Sequence, residues 1–324
     1  MSHRSGFIAA GIAAVLVVLV PFLHNGYLTG TMVLVAQNAI AALGLGLLIG
    51  TARVVSVAQA AFFGVGAYAA AAVSSRGLDP WLSILVSMVV VAAIAAIVGW
   101  PVLRLRGPDI TLATLALGYI AMVTFNEASA ITGGPSGFGT FPPLHWGATP
   151  LTGDLPAYVL AWIAVAIGGL IVYRIRNSSR GRALRAIAAS ETAAASMGVE
   201  VRARKLEAFV LSAVFAGVAG AFYAYYVGYI SPVSFSFDQS IYFIIMVSLG
   251  GSATTLGPIV GSALYSFISA ALTQFASVAF PSNAQSAAAA LQVIAFGLIL
   301  IGVMRFLPGG IVAAIATRLD RRPS

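Results

Sequence analysis

The chain has 324 residues, of which 60% are hydrophobic and only 8% charged, and its mean hydropathy is +0.99. Soluble domains carry roughly 25% charged residues, so this composition excludes a soluble globular protein and makes the bilayer the main solvent. The formal net charge of +8 does not signal nucleic acid, because the basic residues fall between apolar runs, and the lack of cysteine removes disulfides, thiolate metal sites and cysteine nucleophiles together.

In chain order, residues 7–23 follow Arg4 and resemble the apolar core of a signal peptide. "VPFLHNG" offers no small-x-small cleavage site, so 6–23 reads as an uncleaved first span. Apolar runs bounded by charge, Pro or Gly predict further spans at 28–50, 57–73, 81–100 and 110–128, and then at 157–173, 206–226, 238–249, 257–274 and 287–304. The expected fold is all-α: a polytopic membrane helix bundle of about ten spans, forming one integral membrane domain over residues 1–324. Two spans are weak. The run 57–73 is short and contains glycine, and 238–249 cannot cross about 30 Å of hydrocarbon as a straight helix. Either can be broken or re-entrant, which the bilayer allows only where protein or a water-filled cavity covers the backbone.

With the N-terminus in the cytoplasm, ten alternating spans put Arg53, Arg104, Arg106, the cluster at 174–205 and the tail from Arg305 to Arg322 on the cytoplasmic side. Only Arg76, one of 17 basic residues, is left outside, and the longest external loop, 129–156, has no Lys or Arg. Both termini are then cytoplasmic. Spans two to five and seven to ten become four-span groups of opposite orientation, the arrangement of an inverted repeat. The internal similarity behind it is faint: "FFGVGAYAA" and "IVGSALYSF" match loosely, and ordinary helix-packing composition explains them equally well.

No engine is visible in the chain. A phosphate-binding P-loop needs G-x-x-x-x-G-K-[ST], and the only lysine, Lys205, follows Arg204. Glu127 and Asp238 fall at predicted span ends, so no carboxylate is expected near a span's middle, which argues against proton coupling. His3, His24 and His145 are scattered at or beyond span ends without metal-ligand spacing, and no G-x-S-x-G elbow is present. The expectation is a chain that is not an enzyme and binds no metal or cofactor of its own.

Residues 174–205 hold eight of the 17 basic residues. Within them, 182–197 read as two short helical pieces, "RALRAIAA" and "ETAAASM", the second opened by Ser190 as N-cap and closed by Gly198. Arg182 and Arg185 share one side of the first piece, and Leu184 and Ile187 another. Two readings fit: a basic loop that fixes topology and touches lipid phosphates, or a docking site for another protein, since a loop this long exceeds the usual two to eight residues between bundled helices.

The run "GRALRAIAASETAAASMGVEVRARKLEAFVLSAVFAGVAGAFYA" closely resembles the cytoplasmic loop and next span of LivM-type permease subunits of branched-chain amino-acid ABC importers. Similar matches, in order along the chain, are "SVAQAAFFGVGAYAA" (56–70), "DITLATLALGYIAMV" (109–123), "TGGPSGFG" (132–139) and "SLGGSATTLGPIVGSAL" (248–264). The resemblance implies a permease whose 174–205 segment is a cytoplasmic coupling loop docking on separate ATP-binding subunits. Gly181, Arg182, Arg185, Ala188, Glu191, Ala194, Met197 and Gly198 stand where the family's motif stands, with a role in docking rather than catalysis. It also implies a second homologous permease subunit, a soluble substrate-binding protein outside, ATP-Mg on the partner subunits driving alternating access, and residence among the lipids of a bacterial-type cytoplasmic (inner) membrane. One departure stands out. Where the family usually has glycines around Ser56, this chain has Arg53 and Ala58. An arginine costs about 2.5–3.5 kcal/mol at a helix centre, so Arg53 is expected at the cytoplasmic edge.

A zwitterionic amino acid needs dipoles along its path, and the polar residues inside apolar spans are the candidates: Gln37, Asn38, Gln59, Thr111, Thr114, Asn126, Glu127 and Gln239. The alternative for each is interhelical hydrogen bonding, worth roughly 0.6 kcal/mol on average. In the external loop, Gly133, Gly134 and Gly137 either turn the chain or present amides to a ligand or docked binding protein. "GGSATTLGPIVG" either breaks a span beside the path or packs helices closely. Urea or a short amide is the alternative cargo, and a stand-alone channel or secondary carrier, with ion sites built from carbonyls, is the alternative class.

Overall fold

The computed structural model describes residues 26–314, apart from 106, 140, 147, 148 and 308. The first predicted span, His3, Arg4, His24, Arg106 and the basic tail beyond 314 lie outside the described residues. Gly26–Leu47 forms α1, prolonged by a π-helical turn at Leu48–Ala52. After an irregular segment at 53–58 come Gln59–Ser74 (α2), Pro80–Val102 (α3) and Pro108–Glu127 (α4). The turn Ser129–Thr132 (α5), a 3-10 turn at Gly134–Ser136 and the two-residue strands His145–Trp146 (β1) and Thr149–Pro150 (β2) lead to Asp154–Asn177 (α6). Ser179–Ala189 (α7) and Glu191–Ser196 (α8) precede Val201–Val227 (α9). A 3-10 turn at Pro232–Phe235 then introduces Phe237–Gly250 (α10), followed by Leu256–Ala279 (α11) and Ala284–Phe306 (α12).

Among the described residues seven helices are long and apolar enough to cross a membrane, counting α1 with its π-helical turn, and α2 and α10 are the two shorter apolar helices. Every predicted span within 26–314 has its helix, and the two weak ones are the two short ones. Local chemistry sets the boundaries. At the start of α3, for example, Asp79 Oδ1 accepts from Trp81 N at 2.8 Å while Pro80 occupies the first helical position, where its missing N–H costs nothing.

The order long, short, long, long occurs twice. From α1 to α4 the lengths are 27, 16, 23 and 20 residues, and from α9 to α12 they are 27, 14, 24 and 23. The crossing helix α6 separates the two sets, so α1 begins at one end of the molecule and α9 at the other. The end carrying Arg53, Arg104, Arg174, Arg202, Arg204 and Arg305 is here termed the basic end. The strings "FFGVGAYAA" and "IVGSALYSF" fall on α2 and α11, which are not equivalent members of the two sets, so they do not record the repeat.

α1 and α9 form the centre: 78% and 67% of their apolar windows are buried, against 11–33% for the other five long helices. Small residues let the short helices approach closely. A Cβ on Gly66 would stand 2.2 Å from Gly217 O, and one on Gly220 1.9 Å from Phe63 O, so α2 meets α9 backbone to backbone. Gly250 and Gly261 play the same part between α10 and α11, where a Cβ would meet Gly257 O at 1.7 Å and Met246 O at 1.8 Å. This is the packing role of "GGSATTLGPIVG", which also makes the turn between those helices.

The two short helices begin in the middle of the molecule. Gln59, 1% exposed, donates Nε2 to Ala41 O at 3.3 Å and to Ser212 O at 3.1 Å. Ala41 is roughly 16 Å from the basic end of α1 at about 1.5 Å per residue, half the thickness of a bilayer core. Next to it Ala60 N donates to Ser240 Oγ at 2.9 Å, joining the first turns of α2 and α10. Segment 53–58 therefore climbs from the basic end to the middle, and 228–236 descends to it from the opposite end. Protein covers both. Thr111 Oγ1 donates to Val55 O (3.3 Å) and Val57 N donates to Thr114 Oγ1 (3.1 Å). Phe138 and Ile230 pair through two backbone bonds of 2.7 and 2.9 Å, and Phe235 sits among Phe63, Tyr68, Phe125 and Tyr223 at ring separations of 5.4–6.2 Å. Asp238, at the predicted end of the span 238–249, lies in the first turn of α10, which meets the first turn of α2 about halfway along α1.

Candidate functional site

At the basic end α7 and α8 form a short helical pair. Ser178 Oγ accepts from Gly181 N at 3.4 Å and opens α7 three residues earlier than the expected start at Arg182, and Ser190 Oγ accepts from Ala193 N at 3.2 Å and opens α8. Gly198, with φ +79°, ends the pair as its left-handed terminator. Leu184, Ile187 and Ala194 are buried against the chain, and so is Gly181, where a Cβ would stand 2.4 Å from Ile175 O. Arg182, Glu191, Met197 and Gly198 are exposed, Met197 at 84%, and Ala188 is half-buried. Of the eight residues singled out for docking, Gly181 and Ala194 hold the pair to its own chain by packing, Arg185 and Glu191 reach back to Arg176 and Lys205, and the others shape its outer surface.

Lys205 and Arg176 anchor this pair to the rest of the chain, Arg176 by accepting from Arg185, and sequence reasoning singled out neither Lys205 nor Arg176. Lys205 of α9, nearly buried, forms an ion pair with Glu191 of α8. Arg176, 9% exposed at the basic end of α6, donates to Gly46 O of α1 (3.0 Å), to Ala253 O (2.7 Å) and to Ser252 O in the turn between α10 and α11. Its own carbonyl accepts from Arg185 Nη1 of α7 at 2.7 Å. One residue therefore links the exposed helix pair, α1 of the first set and the basic end of α10. The one available signal was its place among the basic residues just after the predicted span 157–173, and that is common to topological arginines.

The path candidates divide by position. Gln37 donates to Phe222 O and Asn38 to Ser266 Oγ, both at 3.4 Å, and Gln59 ties α2 to α1 and α9. Thr111 and Thr114 hold the climbing segment. Asn126 donates to Met122 O within α4, and Glu127 is exposed at the far end of that helix. Gln239 is half-buried beside Asp238 in the middle. In the external loop Gly133, Gly134 and Gly137 have φ of +74°, +62° and +74°. Their amides bond to Ser129 O, Thr132 Oγ1 and Gly134 O, so the residues fold a turn, which Tyr229 OH and the Phe138–Ile230 pairing clip to the descending segment. His145 lies in β1 with Nε2 3.8 Å from Asp79 Oδ2. Among the described residues no group of three or more His, Cys, Asp or Glu is placed to hold a metal ion.

Arg53 is exposed at the basic end and carries a φ of +51°, a left-handed conformation that glycine adopts without strain and arginine rarely does.

Comparison with known proteins bears on this geometry. The family described as "Branched-chain amino acid transport system / permease component" matches residues 27–304, which run from α1 into α12. The high-affinity branched-chain amino acid transport system permease protein LivM of Escherichia coli K12 is 30% identical over 274 residues, covering 77% of this chain and 64% of that protein. LivM of Salmonella typhimurium LT2 is 30% identical over 246 residues, covering 68% of this chain and 58% of that one. The fructose import permease protein FruF of Bifidobacterium longum is 28% identical over 242 residues, 71% of this chain and 65% of its own length. The chain therefore spans a little under two thirds of each of these relatives. No solved structure matches it. The chain belongs to the branched-chain amino acid transport permease family, and with its apolar helices it is an integral membrane protein.

Proposed function

We propose that this family member is the membrane-spanning subunit of an ATP-driven importer of branched-chain amino acids in a bacterial-type inner membrane. It would work with ATP-binding subunits, a second homologous permease and a soluble substrate-binding protein. The observation that carries the reading is the helix pair α7–α8, ordered, exposed and fastened from beneath by Arg176 and Lys205, in a chain whose single lysine leaves it no P-loop. A loop that only fixed topology would need neither the caps nor the buried root. By the positive-inside rule the basic end faces the cytoplasm, where ATP-binding subunits would meet it, and a first span at 6–23 would bring the total to ten with both termini inside.

In this reading the ATP-binding subunits supply the energy and the chain transmits it. A displacement of α7 acts through Arg185 on the Arg176 carbonyl, and through the Arg176 guanidinium on the turn at 252–253 and on α1. The turn is the basic end of α10, whose other end meets α2 in the middle of the membrane. A shift at the docking surface thus reaches the point where an inward-open and an outward-open path must differ, as alternating access requires. The fructose permease among the relatives favours a sugar as the second cargo to test.

The test is purification of the tagged chain with its neighbours, with 182–198 native or scrambled, followed by uptake in proteoliposomes. Co-purification of ATP-binding subunits with the native segment alone, and ATP-dependent leucine uptake, is the expected result. A chain that purifies alone in both forms would sink the reading in favour of a stand-alone carrier.

A further inference from the structure

One charged group remains outside this account. Asp238 stands two residues before Ser240, whose hydroxyl accepts from Ala60 N where the two half-length helices meet. It lies roughly 18 Å along α10 from Gly250 at the basic end, in the middle of a hydrocarbon layer about 30 Å thick. The other described acids lie toward the ends: Asp79 caps α3, Asp109 and Glu127 begin and end α4, Asp154 begins α6, and Glu191, Glu200 and Glu207 surround the docking pair. Asp238 is exposed, and among the described residues its carboxylate has no hydrogen bond and no ion pair.

A carboxylate at this depth is too costly to leave against lipid, and such groups face a water-filled path or a countercharge. Its place in the first turn of α10 sets the carboxylate at the positive end of that helix's dipole. One side is closed by Phe237, which stacks on Tyr119 of α4 at 5.7 Å, and the half-exposed Tyr242 follows one turn along the same face.

We propose that Asp238 is the mid-membrane contact for the cargo's ammonium group, an inference that rests on the amino-acid importer reading and deepens it. An amino acid crossing this layer carries both charges. Its ammonium pairs with Asp238, while its carboxylate lies near the converging positive ends of α2 and α10. A single carboxylate gives one charged partner and no enclosing cage, so the contact holds the cargo briefly and releases it. A neutral sugar would have no use for it.

The experiment uses the assembled complex in proteoliposomes with leucine-loaded binding protein. Asp238→Asn should cut leucine uptake about tenfold or more while binding-protein-stimulated ATP hydrolysis stays within about twofold of wild type, and Asp238→Glu should restore most of the uptake. Uptake by Asp238→Asn within about twofold of wild type would overturn the inference and leave the importer reading standing. A wild-type complex that moves no leucine would overturn both. Because the native chain has no cysteine, Asp238→Cys supplies a second readout if Asp238→Asn does not assemble. Labelling of the assembled complex by a membrane-impermeant cationic methanethiosulfonate, slowed by loaded binding protein and ATP, is the expected outcome. No labelling, whether lipid or a partner's cation covers the position, would overturn it.

Discussion

The two half-length helices occupy equivalent places in the repeat and are built differently. α2 is buried nearly all round, and its first residue, Gln59, bonds to both central helices. α10 also buries Phe243, Ile245, Met246 and Val247, yet its first turn leaves Asp238 exposed and Gln239 and Tyr242 half-exposed. The two equivalent positions thus hold one half-helix enclosed by the protein and one whose first turn stays partly exposed. The polar group at the start of α2 is fully used inside the protein, and the one at the start of α10 is free to meet something that passes.

The strongest way to break this contrast is to deny α2 its seat. Gly220→Leu puts a side chain where Phe63 O stands 1.9 Å from an ideal Cβ, and should cost more than about 4 kcal/mol. Size-exclusion chromatography in detergent should show no monodisperse chain. Next is Arg176→Ala, which removes charged hydrogen bonds to Gly46, Ser252 and Ala253 carbonyls worth about 1.5–3 kcal/mol each. Its melting temperature should fall, and ATP hydrolysis in surviving complex should continue without uptake, Arg176→Lys being intermediate. A paired test sharpens the contrast: Gln59→Leu should lower stability by about 1–3 kcal/mol and leave turnover per folded complex intact, whereas Gln239→Leu should lower turnover and leave melting unchanged. The reverse pattern would mean that the roles of the two half-helices are exchanged. The smallest effect is expected from Arg53→Gly, which relieves a left-handed arginine and should raise stability by up to about 1 kcal/mol, read as a slightly higher melting temperature.

Much of the architecture was legible in apolar run lengths alone, because a bilayer demands them. The weakness of 57–73 and 238–249 was visible for the same reason, and Ser190 and Gly198 announced the helix pair through capping chemistry. The depth of Asp238 was not legible, because hydropathy finds where a span is apolar and says nothing of where along a passage helix replaces irregular chain. Its depth is fixed by Ala60 and Ser240, a contact across 180 positions that no local window sees. The outward and inward faces of α7 and α8 were likewise blended, since Gly181 and Ala194 have the small size of a docking surface and serve to seat it.

That contact across 180 positions also sets a timetable. At about 5–20 residues per second, a ribosome that has finished α2 needs roughly 10–40 s to deliver Ser240. During that time a helix of 16 residues, too short to span the bilayer by itself, waits without α9 or α10 beside it. The first half of the repeat must therefore be sheltered by the insertion machinery until the second arrives, which makes truncated or stalled chains of this protein natural targets for membrane quality control.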